Sequence, residues 1–264
     1  MAAHPGNPVW FELVAADADA AQAFYADVVG WTIAAGGMPG MDYRIVTAPD
    51  GDRIAGLMPP PPGMPGAPTW LVYFGCDDVD ATVAAAQANG AALRLPPMDV
   101  PGAGRLAMLA DPQGNAFYVM QGQGAADSRA FAQGQDTPAG HAVWTELSTP
   151  DQDAGIAFYT DLFGWRQDGA MPMGPLGDYK FLYNGTANLG AAMRTPPGAP
   201  DGWQVYFLVP EIDAAIGRGQ TGGGTLIQGP DEIPGGSFSA VLADPQGARF
   251  GLVGPRTMSA GAGA

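Results

Sequence analysis

The chain has four glutamates, at 12, 146, 211 and 232, and two of them stand in the same short context. Val9-Trp10-Phe11-Glu12-Leu13 returns as Val143-Trp144-Thr145-Glu146-Leu147. Two residues apart on an extended strand means one face, so each carboxylate shares a face with an indole. A carboxylate beside a large ring is partly desolvated, which suits it to proton transfer near neutrality. Glu12 and Glu146 are therefore candidate general bases or hydrogen-bond acceptors. Trp10 and Trp144 are candidate flat walls for a planar or apolar ligand. Plainer roles stay open: the carboxylates could be tied to backbone amides or reach solvent at a strand end, and the tryptophans could simply fill core.

Residue types that other chemistries need are scarce. The only histidines are His4, near the terminus, and His141, which reads as a surface or capping residue at a domain entry. The single cysteine, Cys76, rules out an internal disulfide and reads as a buried, inert thiol. A reducing cytoplasm fits it best. No G-x-S-x-G elbow is present, and Gly222-Gly223-Gly224 reads as the stop of a helix rather than a phosphate loop.

The elements that must hold these residues recur as well. Residues 9–31 and 143–165 match in register 134 residues apart, and LADPQG at 109–114 returns at 242–247. All six tryptophans fall into pairs, Trp10/Trp144, Trp31/Trp165 and Trp70/Trp203. The chain is therefore a tandem repeat. Each copy reads as strand, helix, three strands, and then the same series again. In the first copy strands are expected near 9–15, 32–35, 43–47, 54–58, 70–76, 92–95, 104–110 and 116–120. The first helix is capped by Asp17 or Asp19 and stopped by Gly30; the second spans about 79–89. That order predicts an α+β class with mainly antiparallel pairing. Expected domains are 1–120 and 141–256, with a linker at 121–140 and a disordered tail at 257–264.

Composition narrows the partners. Hydrophobic residues make up 47% of the chain, and the formal net charge is −15. A core can form, and a phosphate backbone would be repelled, so nucleic acid is not an expected partner. No apolar run of about 18 residues occurs, so no membrane span is expected, and the N-terminus lacks the pattern of a secretory signal.

A βαβββ unit with FY..v.GW closing its first helix and aDPqGn.f before its last strand resembles the vicinal oxygen chelate superfamily. Glyoxalase I, bleomycin-resistance proteins, extradiol dioxygenases and fosfomycin-resistance enzymes belong to it. The likeness covers both copies and is closest to two-domain glyoxalase-like proteins of bacteria. It implies tandem domains, each of two βαβββ units whose curved sheet forms a cup, usually holding a divalent metal. It implies metal ligands fifteen residues before Tyr25 and Tyr159, six before the Asp that precedes the second helix, and four after the Gly of DPQG. Those positions hold Trp10 and Trp144, Leu71 and Gln204, Tyr118 and Gly251. A metal of the usual kind is thus not expected.

The resemblance leaves three functions. The first is metal-independent binding of a small apolar or aromatic metabolite in a cup, with or without proton transfer by Glu12 or Glu146, and with Trp10, Tyr118, Trp144 and Gln204 lining it. The second is a metal-dependent lyase, isomerase or oxygenase whose divalent ion sits between His141, Glu146 and Gln204. The third is a non-catalytic assembly module with filled cups.

Overall fold

The computed structural model describes residues 5–37, 40–60, 67–123, 128–134 and 136–257. The expected disordered tail lies outside the described residues from 258 onward. The first repeat supplies β1 (Pro8–Val14), α1 (Ala18–Val29), β2 (Thr32–Ala35), β3 (Arg44–Thr47), β4 (Arg53–Met58), β5 (Thr69–Gly75), α2 (Val79–Ala88), β6 (Ala92–Val100), β7 (Gly104–Ala110) and β8 (Ala116–Gly122). The second supplies β9 (Ala142–Thr149), α3 (Gln152–Phe163), β10 (Arg166–Pro172), β11 (Asp178–Asn184), β12 (Ala187–Arg194), β13 (Gly202–Leu208), α4 (Ile212–Thr221), β14 (Thr225–Glu232), β15 (Phe238–Ala243) and β16 (Arg249–Gly254). Each repeat builds its own eight-stranded sheet, in the orders β2-β3-β4-β1-β5-β8-β7-β6 and β10-β11-β12-β9-β13-β16-β15-β14. The class is α+β, as the element order requires.

The sheets are mixed, with antiparallel pairs in the majority, as expected. Where a βαβββ unit closes, its first and last strands pair in parallel, as β5 with β8, β9 with β12 and β13 with β16. The other pairs within each unit are antiparallel. Strand β6 also runs further than expected, through Pro96 and Pro97 to Val100, with register shifts between Leu93 and Leu95 and between Leu95 and Met98. It is an edge strand, so the missing proline N–H groups cost no interior ladder.

Local chemistry sets the helix ends. Asp17, Asp78, Asp151 and Glu211 each accept a backbone N–H three residues on, from Ala20, Ala81, Ala154 and Ala214. Gly30 and Gly164 close α1 and α3 in the left-handed conformation, φ 87° and 71°.

Compact packing cuts across the repeats. One unit holds Met1–Glu12, Trp70–Asp136 and Trp144–Val205; the other holds Leu13–Thr69, Thr137–Val143 and Tyr206–Ala264. Each therefore joins parts of both repeats. In the first unit Phe74 meets Trp165 at 5.1 Å and Trp203 at 5.2 Å between ring centroids, and Phe117 meets Tyr159 at 5.4 Å. In the second, Tyr25 meets Phe250 at 5.0 Å, and Trp31 meets Phe207 at 4.7 Å. There the turn after α4 presents Gly222 and Gly224 to the Phe24 ring, where a Cβ would come within 3.1 and 3.0 Å of it.

The recurring motifs form clasps inside these units. The first carboxylate oxygen of Asp111 accepts the Gln113 and Asn115 N–H groups at 2.9 Å, closing the DPQG turn; Asp244 does the same for Gln246 and Ala248. The second oxygen reaches the other repeat: Tyr159 donates to Asp111 at 3.3 Å, and Tyr25 to Asp244 at 3.2 Å. The glutamine does likewise. Gln113 exchanges two bonds with the Asp151 backbone, at 2.8 and 2.7 Å, and Gln246 with the Asp17 backbone, at 2.9 and 2.8 Å. FY and DPQG are thus two halves of one fastening.

Candidate functional site

Strand β1 sends Phe11 and Leu13 into the core and places Trp10 and Glu12 on the opposite face, as alternation requires. Glu12 is only 2% exposed. Its Oε2 accepts the Tyr73 hydroxyl at 3.2 Å. Parallel pairing sets Tyr73 of β5 opposite Tyr118 of β8, and their rings stack at 4.1 Å and 5°. Burial pushes the Tyr118 phenol above its ordinary value, and the Glu12 charge adds to this. In the first repeat, then, the carboxylate is buried and accepts the hydroxyl of one of two stacked tyrosines.

The second repeat arranges the same strand differently. Trp144 and Glu146 share a face of β9, and both are half-buried. The Trp144 indole donates to the Tyr179 oxygen at 2.8 Å, and the Tyr179 hydroxyl donates to Glu146 Oε2 at 2.7 Å. The Trp144 and Tyr179 rings are nearly parallel, 12° apart with centroids at 6.5 Å, and Phe181 stands edge-on to Trp144 at 6.2 Å. Tyr179 is the partner that the sequence reading missed. Its signal was the alternation Tyr179, Phe181, Tyr183 along β11. Where the first repeat has Tyr118, the second has Gly251, paired in parallel with Tyr206. A Cβ on Gly251 would lie 2.0 Å from the Tyr206 ring, so that ring lies flat against the glycine backbone. Gln204 is half-buried on β13, between the core residues Trp203 and Val205.

The positions where the family's metal ligands would stand do not fit an ion. Leu71 and Gly251 offer no donor atom. An indole nitrogen is a hydrogen-bond donor without a lone pair, and that of Trp144 is already given to Tyr179. The Tyr118 ring is stacked, with its phenol shifted toward the neutral form. Divalent metals want three or four imidazole, carboxylate or thiolate donors.

Of the residues expected to hold an ion, His141 falls in the second compact unit and Glu146 and Gln204 in the first. His141 is not a surface residue. It is 0% exposed, with Nε2 3.0 Å from Asp50 Oδ2 and 3.9 Å from Asp52 Oδ2. These aspartates lie in the β3–β4 hairpin, about ninety residues away in sequence. Burial raises the Cys76 thiol to about 11, with Asp77 and Asp78 adding and the Thr82 hydroxyl opposing, in keeping with an inert side chain. Among the described residues no helix is long and apolar enough to cross a membrane.

Comparison with known proteins agrees with this architecture. The family described as Glyoxalase/Bleomycin resistance protein/Dioxygenase superfamily matches twice, over residues 7–119 and 140–252. A protein of Mycobacterium tuberculosis (strain CDC 1551 / Oshkosh) named "Putative glyoxylase CFP32" is 34% identical over 255 residues, covering 95% of each chain. The anthracycline biosynthesis protein DnrV of Streptomyces peucetius is 33% identical over 270 residues, covering 94% of this chain and 93% of its own. Among solved structures, the Mn(II)-bound glyoxalase from Novosphingobium aromaticivorans superposes with a TM-score of 0.69 at 19% identity, over 96% of this chain and 83% of that one. The 2,3-dioxygenase LapB from Pseudomonas sp. KL28 gives 0.67 at 15% identity, over 97% and 94%.

Proposed function

Since the chain belongs to the Glyoxalase/Bleomycin resistance protein/Dioxygenase superfamily, we propose that it binds a small planar molecule bearing a carbonyl or hydroxyl on the Trp144–Glu146 face of its second sheet. Glu146 is its polar anchor and proton acceptor, and no metal in the cup takes part. The observation that carries this reading is the hydrogen-bonded series Trp144 to Tyr179 to Glu146. A phenol donating to a carboxylate fixes its orientation, and a general base must be held in place. The indole and phenol planes supply an apolar wall of the kind that small-molecule sites use. The relative named for anthracycline biosynthesis supports a flat, fused-ring ligand class. The unsuitable donor set at the family's metal positions supports metal independence. Glu12, buried and bonded to the Tyr73 hydroxyl, serves as a core acceptor in this reading.

The test is a screen of aromatic and dicarbonyl compounds by tryptophan fluorescence, with EDTA present throughout. Glu146→Gln should weaken a hit about ten- to a hundredfold, the loss of a charge-assisted hydrogen bond, and Tyr179→Phe should weaken it less, by releasing the carboxylate from its orientation. Glu12→Gln should leave its affinity unchanged. Hits that bind equally to wild type, Glu146→Gln and Tyr179→Phe would refute the assignment.

A further inference from the structure

The repeats provide an internal comparison at the point where each begins. In the first, Gly6 sits with φ 89° in a space without room for a Cβ, which would meet the Trp165 indole nitrogen at 2.7 Å. Trp165 donates to the Gly6 carbonyl at 3.0 Å. The next residue, Asn7, accepts at 2.8 Å from the side chain of Asn184, which lies in the β11–β12 hairpin. The counterparts of Gly6, Asn7 and Trp165 lie 134 residues away, at Gly140, His141 and Trp31. Gly140, φ 92°, is equally crowded, by Pro49 at 2.7 Å and the Trp31 indole nitrogen at 3.1 Å. Trp31 donates to its carbonyl at 2.8 Å. His141 stands at the Asn7 position; the strand register places Ala48 at the Asn184 position, and two residues further on the β3–β4 hairpin offers Asp50, with Asp52 nearby, as the partner of the imidazole.

Two neutral amides are therefore enough to hold the strand entry against the hairpin. The second copy instead assembles an imidazole and two carboxylates whose ligand atoms all lie within 4.8 Å of one another. Metal–ligand bonds of about 2.1 Å place neighbouring donors roughly 3.0–3.5 Å apart in tetrahedral or octahedral sites. The observed 3.0 and 3.9 Å from His141 Nε2 to the two carboxylates lie close to that spacing. The histidine is fully buried and directly follows Gly140, where there is no room for a side chain. The aspartate side chains are 25% and 29% exposed, leaving a side open for waters that complete the coordination.

We propose that Asp50, Asp52 and His141 form a binding site for one divalent transition-metal ion, outside the Trp144–Glu146 face and independent of it. The mixed nitrogen and oxygen donors select zinc, manganese, cobalt or nickel over calcium and magnesium, which prefer oxygen alone. The ion would fasten the segment entering β9 to the β3–β4 hairpin, adding to the native state the stability that specific binding confers.

The experiment strips the full-length protein with EDTA, removes the chelator, and titrates Zn2+ and Mn2+ by calorimetry alongside thermal unfolding. The wild type should take up one equivalent and unfold at a higher temperature. The double substitution Asp50→Asn with His141→Asn leaves two neutral amides between strand entry and hairpin, the chemistry that Asn7 and Asn184 supply in the first repeat. With far-UV circular dichroism unchanged, that variant should lose the equivalent and the thermal shift, as should Asp52→Thr to a smaller degree. Glu146→Gln should keep both. No uptake by the wild type, uptake undiminished in the double variant, or loss in Glu146→Gln instead would each overturn the proposal. The ligand screen described above runs in EDTA, so failure of either reading leaves the other standing.

Discussion

At the scale of single residues, equivalent positions have taken on different surroundings. Glu12 and Glu146 share a strand position, yet one is buried and bonded to a tyrosine hydroxyl and the other belongs to a three-residue hydrogen-bonded series. Recurrence of Trp and Glu at the same spacing was visible in the sequence, because a repeat exposes what a single copy conceals. Tyr179 was less visible, since its first-copy counterpart strand β3 is shorter and lacks the aromatic alternation of β11. The approach of His141 to Asp50 could not be read at all: no period or local motif reports a pairing across ninety-one residues. Cys76 gives a sharp prediction at this scale. Its thiol, 3% exposed and raised to about 11, stays protonated well above neutral pH. At pH 8 a disulfide reagent such as DTNB should therefore react at least about a hundredfold more slowly than with an unperturbed thiol, because only the thiolate attacks. One full equivalent should appear promptly in denaturant. Rapid labelling of the native protein would show that the strand end carrying Cys76 opens.

Among the elements, helix boundaries were legible and strand ends less so. Asp and Gly punctuate both first helices because a carboxylate accepts an N–H that the helix leaves orphaned, and glycine turns the chain out of it. Those are local effects, and local effects leave local signatures. Strand β6 shows the opposite case. Two prolines argued for an early end, but its place at the sheet edge removes the penalty, and edge placement is a property of the whole sheet. Replacing Asp17 by Ala tests the cap. It removes the 2.9 Å bond from the Ala20 N–H, and should cost about 0.5–2 kcal/mol in urea unfolding with an unchanged m-value. Asp17→Asn should recover most of the loss. A negligible cost would mean that Gln246, bonded to the Asp17 backbone on both sides, holds the helix start alone.

For the whole molecule, the sequence reading divides the chain at its repeat, while dense packing divides it otherwise. Phe74 of the first repeat is surrounded by Phe163, Trp165 and Trp203 of the second, and Phe24 of the first faces Phe250 of the second. Periodicity shows that such residues are buried, but it is silent about which copy buries them. Either repeat produced alone would expose these rings. We therefore expect residues 1–136 and 137–257, co-expressed as separate chains, to copurify in a one-to-one complex through affinity capture of either tag. Two separately soluble monomers that ignore one another would contradict this, and would make the clasps incidental.

The clasps themselves are reciprocal: tyrosine of each repeat to aspartate of the other, glutamine of each to the helix start of the other. Two identical single-repeat chains would satisfy all of these bonds at once, as an isologous homodimer does. In such a dimer any substitution appears twice, so both copies must keep the same site. Covalent fusion lifts that constraint. Within one polypeptide a tyrosine at 118 can coexist with a glycine at 251, and an amide pair at Asn7 and Asn184 with a histidine–aspartate pair at His141 and Asp50. Asymmetry of function is thereby open to this chain in a way that no symmetric pair of half-length chains could match.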